Sequence, residues 1–289
     1  MAETTMHRPH VLNGGFTWVD HEPVDGQVLT AEQIAQYDEQ GFVLLDRILD
    51  AETVDRITAE IDPIEAEVEA LLRDAEGGRV FIARADEITF TTHLVRRSAL
   101  LRELVSSELL TGICTDLVGH DVRLYWDKGV YKKPGTADPF PWHQDNGYAF
   151  VEPQQYLTCW IALTDTDATN GCPMVVPGVH REGTLAHRPS DIGYVCLDDP
   201  PGVVTVPARA GSIVVFSSLT PHCTGPHVGG PDSGPRKAYI VQYAPDGAIV
   251  SRPDGEGGWT RTPADDPDRQ FPVLTDGRRV APPPLATAT

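Results

Sequence analysis

The segment Trp142-His143-Gln144-Asp145 places an imidazole and a carboxylate two positions apart. On an extended strand, such side chains point to the same side, so both can bind one cation. Far downstream, His222 in the segment Pro221-His222-Cys223-Thr224-Gly225-Pro226 can supply a second imidazole. Two histidines and one carboxylate, with the remaining positions open, are the ligand set of non-haem Fe(II) oxygenases. The spacing therefore predicts an iron centre formed by His143, Asp145 and His222.

Other side chains near the second motif compete for the metal. The run from Ser212 to Phe216 predicts a strand, and His222 follows its end more closely than His227 does. We expect His180 to stabilise its own turn. Cys223 is a weaker alternative because a soft sulfur ligand is unusual at an oxygen-activating iron site.

An iron site that activates oxygen needs an electron donor, and a 2-oxoacid can bind the metal through its carboxylate and keto oxygens. The distal carboxylate of that acid requires a buried cation, and a guanidinium that binds both oxygens suits it best. Arg236 begins the strand that follows His222 and is well placed for this role. Lys237 alternates to the other face of the strand, where we expect it to be solvated.

Composition narrows the range of partners. The chain has 289 residues and a formal net charge of −19, which argues against binding to nucleic acid or anionic membranes. The acidity is typical of a solvated surface, although it could also steer a cationic substrate. No apolar run approaches the roughly 20 residues of a membrane helix, and the first residues lack a secretory pattern. The five cysteines form no CxxC pair, so we expect reduced thiols in a cytoplasmic protein.

The first part of the chain predicts helices. Thr30-Ala31-Glu32-Gln33 is typical of a capping box, with Gly41 as the helix end. A buried strand should follow at Phe42–Leu45. Asp50 can cap a second helix, Pro63 suits the first turn of another, and a further helix is expected at about 98–118.

From about residue 122, short β-rich runs alternate with Pro and Gly turns. This spacing predicts a sandwich or barrel, and the runs are 122–126, 155–163, 174–176, 202–206, 212–216 and 238–243. We predict a mainly β fold with flanking α-helices: a double-stranded β-helix (a cupin-like jelly roll) with an N-terminal helical layer. The predicted divisions are an arm (1–27), one catalytic domain (28–250, helical to about 120 and jelly roll from about 121), and an irregular tail (251–289).

Several motifs occur together in a familiar order. They include the opening Leu29–Val43, Lys133-Pro134-Gly135, the segment from Trp142 to Asp145, Asn170–His180, and the segment from His222 to Pro226. Over about residues 28–245 the chain resembles the phytanoyl-CoA dioxygenase (PhyH) family of Fe(II)/2-oxoglutarate-dependent oxygenases, particularly its bacterial members that oxidise small natural products. The chain departs from the family pattern at two positions near the site. His227 stands where the family often has Asn, and Val179 stands where the family favours the Ser of Pro-Gly-Ser-His.

The resemblance implies roles for individual residues. It makes His143, Asp145 and His222 the iron ligands and Arg236 the 2-oxoglutarate anchor. The cosubstrate pocket would also contain Trp160, Gln144 and Lys133. Asn146 and Tyr148 follow the first motif, and we expect them to border the substrate cavity.

The predicted reaction is hydroxylation, desaturation or cyclisation at an unactivated C–H bond of a small molecule, with release of succinate and CO2. It would use Fe(II), 2-oxoglutarate and O2, with ascorbate as a supporting reductant. Related halogenases have a small residue where this chain has Asp145, so halogenation is disfavoured. Acyl-CoA is a less favoured substrate than a secondary metabolite, since no basic patch is evident for its phosphates.

Two other interpretations remain open. A non-catalytic jelly-roll protein would bind a metal or small molecule without consuming 2-oxoglutarate. A cupin-like metal enzyme would keep the metal and have no need of Arg236. The sequence does not predict the oligomeric state.

Overall fold

The computed structural model describes residues 7–285, and two sheets form the centre of its fold. The helices are α1 (Ala31–Gln40), α2 (Ala51–Asp74), α3 (Ala99–Val105) and α4 (Glu108–Leu117). The strands are β1 (Phe42–Leu45), β2 (Arg79–Val80), β3 (Ala83–Arg84), β4 (Ile88–Thr92), β5 (Val122–Lys132), β6 (Phe140–His143), β7 (Phe150–Glu152), β8 (Leu157–Ala162), β9 (Pro173–Val175), β10 (Arg188–Ser190), β11 (Gly193–Val195), β12 (Val204–Thr205), β13 (Ile213–Ser217), β14 (His222–Thr224), β15 (Arg236–Pro245), β16 (Ile249–Pro253), β17 (Trp259–Pro263), β18 (Pro272–Thr275) and β19 (Arg278–Arg279).

The large sheet has the order β1-β13-β8-β15-β5-β4-β3-β2, and a smaller sheet has the order β12-β9-β14-β6. The two faces of the large sheet bury different sets of side chains. On β8, Leu157, Cys159 and Ile161 belong to the core shared with the helices, whereas Trp160 and Ala162 belong to a second apolar cluster. This second cluster also contains Val175 of the smaller sheet. The predicted jelly roll with a helical layer is confirmed, and its interior lies between the sheets.

The predicted local signals at the N-terminal helices are confirmed. The Thr30 hydroxyl accepts a hydrogen bond from the backbone of Gln33, whose side chain accepts one from the backbone of Thr30. Gly41 ends the helix with φ of 82°, a left-handed conformation in which a Cβ would be strained. Asp50 caps α2 through the backbone N–H of Thr53. All six predicted β-rich runs overlap observed strands.

Two predicted helix boundaries are wrong. Pro63 lies inside α2 rather than at the start of a new helix. A proline there costs about 3 kcal/mol, but one buried stripe continues past it and keeps the helix intact: Val54, Ile57, Ile61, Ile64 and Leu72. The predicted helix at 98–118 is divided, because the Ser107 hydroxyl caps α4 through the backbone N–H of Leu110.

The prediction of an irregular tail is also wrong. β16 crosses the expected boundary at 250 and pairs with β7 and β17, and β18 pairs with β5. Phe271, Val273 and Leu274 are buried in the core that the helices share with the sheet. Burial of these apolar side chains orders a segment whose Pro, Gly and Asp content favoured a loop. Residues 286–289 of the tail and 1–6 of the arm lie outside the described residues.

The described part of the arm covers the helical layer. Trp18 is buried, with its ring 4.5 Å from that of His180 and 6.0 Å from that of Tyr37. The Nδ1 atom of His21 lies 2.7 Å from a carboxylate oxygen of Asp38 on α1. The arm is therefore fastened to α1 by an apolar contact and an ion pair.

This ion pair predicts a pH-dependent contribution to stability. Burial lowers the pKa of His21, but the hydrogen bond and charge of Asp38 outweigh it, so the net shift is upward. A raised pKa stabilises the fold fully below about pH 6.5, and this stabilisation is lost as the pH rises through the folded-state pKa. We expect His21→Gln to lower the free energy of unfolding by about 1.5 kcal/mol at low pH.

Thermal unfolding at about pH 5.5 and about pH 8.5 tests this expectation. The gap between wild type and His21→Gln should be larger at the lower pH. His120→Gln is the control, because the His120 side chain is exposed and makes no hydrogen bond among residues 7–285. Equal gaps at both pH values for His21→Gln would show that the charge on this histidine does not fasten the arm.

Candidate metal centre and active-site cavity

Two paired strands bring the predicted histidines together. His143 ends β6, His222 begins β14, and the two residues are direct partners in the antiparallel register. Their ring centroids are 4.1 Å apart. Asp145 opens the short turn that follows β6, and one ligand atom from each of the three side chains lies within 4.8 Å of the others. The three groups are buried, with exposures of 4%, 8% and 7% for His143, Asp145 and His222.

Backbone carbonyls set the orientation of both imidazoles. The Nδ1 atom of His143 lies 2.8 Å from the carbonyl oxygen of Pro141, and that of His222 lies 2.9 Å from the carbonyl oxygen of Thr220. A carbonyl only accepts, so each Nδ1 carries the proton and each Nε2 is left as an electron-pair donor. Burial lowers the pKa of both rings, which keeps them neutral. This is the protonation state that a metal requires.

The carboxylate is held by a side chain that sequence reasoning missed. The Thr158 hydroxyl donates to Oδ2 of Asp145 at 2.6 Å, and Gln242 donates to the Thr158 oxygen at 3.3 Å. Thr158 and Gln242 are register partners on β8 and β15. This series of two hydrogen bonds fixes one carboxylate oxygen of Asp145 and leaves the other oxygen for a cation. The sequence signal that could have identified Thr158 is strand alternation, because Thr158 lies two positions from Trp160 and shares its strand face.

Arg236 lies in the same interior with its hydrogen-bonding capacity largely unused. Its side chain is 1% exposed, and Nη1 donates to the carbonyl of Val130 at 3.3 Å. Nε and Nη2 have no hydrogen-bond partner among the described residues. The guanidinium carbon is 5.5 Å from the centre of the Trp160 ring. Burial lowers the pKa of Arg236 to about 10, so the group remains a cation near neutral pH.

Unpaired buried donors on a cation are costly, and a carboxylate would satisfy both of them. Arg236 and Trp160 line one cavity together with all three members of the His–Asp–His cluster. The chemistry of the donor set therefore suits a metal ion, and the two free donors of Arg236 suit a carboxylate-bearing cosubstrate in the same cavity.

A second cavity of about 560 Å³ adjoins the cluster, because His143 and Asp145 line both spaces. Its walls are mainly apolar and come from the end of α2, the β2–β3 hairpin and strands of the jelly roll. Tyr148, which we expected to border a substrate cavity, lines this space. A volume of this size accommodates a drug-sized molecule.

Three predicted site residues point elsewhere. The amide of Gln144 donates to the carbonyls of Gly183 and Leu219 at 3.0 and 2.5 Å, so it holds neighbouring loops. Lys133 forms ion pairs with two carboxylates of α2, and both distances are 3.3 Å. Asn146 is buried and bonds to the backbone of Val151. Each of these side chains is occupied by protein groups, and none lines either cavity.

The rival metal ligands are also accounted for. His180 is buried and lies 3.1 Å through Nε2 from the carbonyl of Asp38, so it secures α1 rather than its own turn. His227 bonds to the carbonyl of Gly234 at 3.0 Å. Cys223 is buried but does not join the cluster within the described chain. Across residues 7–285, no helix combines the length and apolar character needed to cross a bilayer.

Comparison with known proteins finds a family model, curated relatives and solved structures that agree with one another. A family model described as phytanoyl-CoA dioxygenase (PhyH) matches residues 37–237. An ectoine dioxygenase of Bordetella bronchiseptica is 27% identical over 216 residues, covering 67% of this chain and 69% of that protein. A probable alpha-ketoglutarate-dependent hypophosphite dioxygenase of Stutzerimonas stutzeri is 28% identical over 216 residues (68% and 73%). The solved structure of SnoK, a non-heme alpha ketoglutarate dependent carbocyclase from nogalamycin biosynthesis, matches with 26% identity and a TM-score of 0.61 (76% and 86%).

Proposed function

Because the chain belongs to the phytanoyl-CoA dioxygenase family, we propose that His143, Asp145 and His222 bind Fe(II) and that Arg236 anchors 2-oxoglutarate beside it. The family match confirms the resemblance seen in the sequence and the predicted dioxygenase class. One observation supports the residue assignment: the three candidate metal ligands line the same cavity as Arg236, whose Nε and Nη2 have no partner within residues 7–285. A protein that binds a metal but no anion would leave these buried donors unsatisfied, whereas consumption of 2-oxoglutarate separates an enzyme from a binding protein.

Fe(II) with 2-oxoglutarate and O2 supplies the oxidant for an unactivated C–H bond, and succinate and CO2 are released. The protein contributes orientation. The two imidazoles present Nε2 from one side, and Thr158 fixes the carboxylate of Asp145. Arg236 receives the distal carboxylate of the cosubstrate against the Trp160 ring. Since a carboxylate is present at 145, we favour hydroxylation, desaturation or cyclisation over halogenation.

The substrate is best described as a small natural product. The relatives are named for compounds as different as ectoine and hypophosphite, so their names do not select one substrate. The 560 Å³ cavity and its apolar walls favour a larger and less polar molecule than hypophosphite. The match to an enzyme of nogalamycin biosynthesis supports a role in secondary metabolism.

Turnover with a panel of candidate metabolites tests this proposal. The protein is supplied with Fe(II), 2-oxoglutarate and O2, and we expect succinate together with a product that gains one oxygen atom or loses two hydrogens by mass spectrometry. Protein loaded with Zn(II) is the control, because zinc is not redox active and should give no succinate. If the Fe(II)-loaded protein binds the metal but forms no succinate above the zinc control, the proposal is wrong.

A further inference from the structure

The 560 Å³ cavity has apolar lining residues that are exposed to solvent. Its lining includes Val68, Leu71 and Leu72 from the C-terminal part of α2 and residues of the β2–β3 hairpin. Leu71 is 70% exposed and Phe81 of the hairpin is 61% exposed. Exposed apolar side chains that line a cavity favour an apolar or aromatic substrate.

The charged residues of this cavity are unusual for so acidic a chain. Its charged lining residues are the cations Lys128 and Arg252 and the carboxylate of Asp145. Asp145 belongs to the metal cluster and accepts the Thr158 hydroxyl. The space left for substrate is therefore bordered by positive charge, although the protein carries a net charge of −19.

The chain has four lysines, and Lys128 differs from the other three in its contacts. Lys132 donates to backbone carbonyls, Lys133 pairs with Glu65 and Glu69, and Lys237 pairs with Asp62. Lys128 makes no hydrogen bond or ion pair with any residue of the described range 7–285, yet burial lowers its pKa. The charge of Asp145 acts on Lys128 in the opposite sense and raises that pKa, but no carboxylate of residues 7–285 lies within ion-pair distance of the ammonium. Its N–H donors therefore face the two cavities that it lines, where a bound anion would be favourable.

We propose that the substrate is an apolar or aromatic molecule with a carboxylate, and that Lys128 binds this carboxylate next to the metal centre. The proposal deepens the proposed function and rests on it. Lys128 lines both cavities, so the acid group lies at the inner end of the substrate and the apolar body extends toward Leu71 and Phe81. An acidic substrate contrasts with the cationic one that net charge alone allows.

Paired probes test the charge preference directly. Dodecanoic acid and 2-naphthylacetic acid are each compared with their primary amides by calorimetric titration, without oxygen, into protein loaded with Fe(II) and 2-oxoglutarate. We expect at least one acid to bind about tenfold tighter than its amide, or more, as a charge-assisted hydrogen bond requires. If neither acid binds better than its amide, the proposal is overturned.

Variants then assign the preference to one residue. Lys128→Met should abolish the preference for the acid while the amide binds as before, and Lys128→Arg should restore part of it. Lys237→Met is the matched control, because Lys237 lies on β15 but pairs with Asp62 away from the cavity. If Lys128→Met keeps the acid preference, Lys128 is not the binding group.

A separate titration with 2-oxoglutarate distinguishes this proposal from the proposed function. Lys128→Met should bind 2-oxoglutarate as the wild type does. Weaker 2-oxoglutarate binding in Lys128→Met would overturn the substrate role, since Lys128 would then hold the cosubstrate. If the wild type itself fails to bind Fe(II) and 2-oxoglutarate, the proposed function fails, whereas the acid preference of the cavity is still measured in metal-free protein.

Discussion

Alanine at His143, Asp145 or His222 is expected to abolish Fe(II) binding and succinate formation. Each substitution removes one of the three ligand atoms that lie within 4.8 Å of one another, and the two side chains that remain hold a metal ion much more weakly. Loss of an outer-shell partner alone typically costs 10–100-fold in metal affinity or activity, so loss of a ligand should exceed about 100-fold. Metal content of the purified variants and succinate formed per enzyme measure the two effects.

His227→Gln is the matched control for these variants. His227 is buried like the ligands and follows His222 by five positions, but it bonds to the carbonyl of Gly234. We expect this variant to retain iron and turnover. Full turnover in all three ligand variants would refute the metal centre, and loss of iron in His227→Gln alone would transfer the ligand role to that residue. Thermal unfolding of each variant separates loss of metal from loss of fold.

Strand alternation explains where the structure places the predicted site residues. His143 and Asp145 are two positions apart, and the structure brings both to one cluster. Gln144, between them, must point the other way on an extended chain, and its amide bonds to Gly183 and Leu219. Its prediction as a residue of the cosubstrate pocket rested on its place between the two ligands and neglected this alternation.

The same rule applies along β5 and β15. Lys133 is one position beyond Lys132, so it faces α2, whereas Lys132 and Lys128 share the inner face. On β15, Arg236 and Gln242 are six positions apart and both face the interior. Counting alternate positions from Arg236 would have indicated that Gln242 faces the interior. Its partner Thr158, however, is determined by the pairing of β15 with β8. That pairing is long-range and is not contained in either segment alone.

The fold errors have a different origin. Pro63 and the composition of the tail are local signals, and tertiary burial outweighs both. α2 continues through Pro63 because its apolar stripe packs on the sheet, and β18 forms because Val273 and Leu274 are buried. A short segment of sequence shows its secondary-structure propensity, but it does not show which other parts of the protein will bury its side chains.

Replacing Arg236 with methionine should sharply weaken 2-oxoglutarate binding while leaving Fe(II) bound. Removing the cationic partner of a buried carboxylate costs about 2–5 kcal/mol, which corresponds to a loss of roughly 30-fold or more in affinity. Arg236→Lys should lie between the two, because lysine keeps the charge but cannot bind both carboxylate oxygens in one plane. Titration of 2-oxoglutarate into Fe(II)-loaded protein measures the loss, with Lys237→Met as the neighbouring control.

The same variant separates binding from stability. In the protein without cosubstrate, Nε and Nη2 of Arg236 have no partner among the described residues, and an apolar replacement for such a buried charge is often neutral or stabilising. Arg236→Met should therefore unfold at the same temperature as the wild type or higher when 2-oxoglutarate is absent. Added 2-oxoglutarate should raise the melting temperature of the wild type only, since a ligand stabilises the state that binds it. An unchanged affinity in Arg236→Met would assign the anchor to another cation, whereas unfolding of the variant at a much lower temperature would make Arg236 a structural residue.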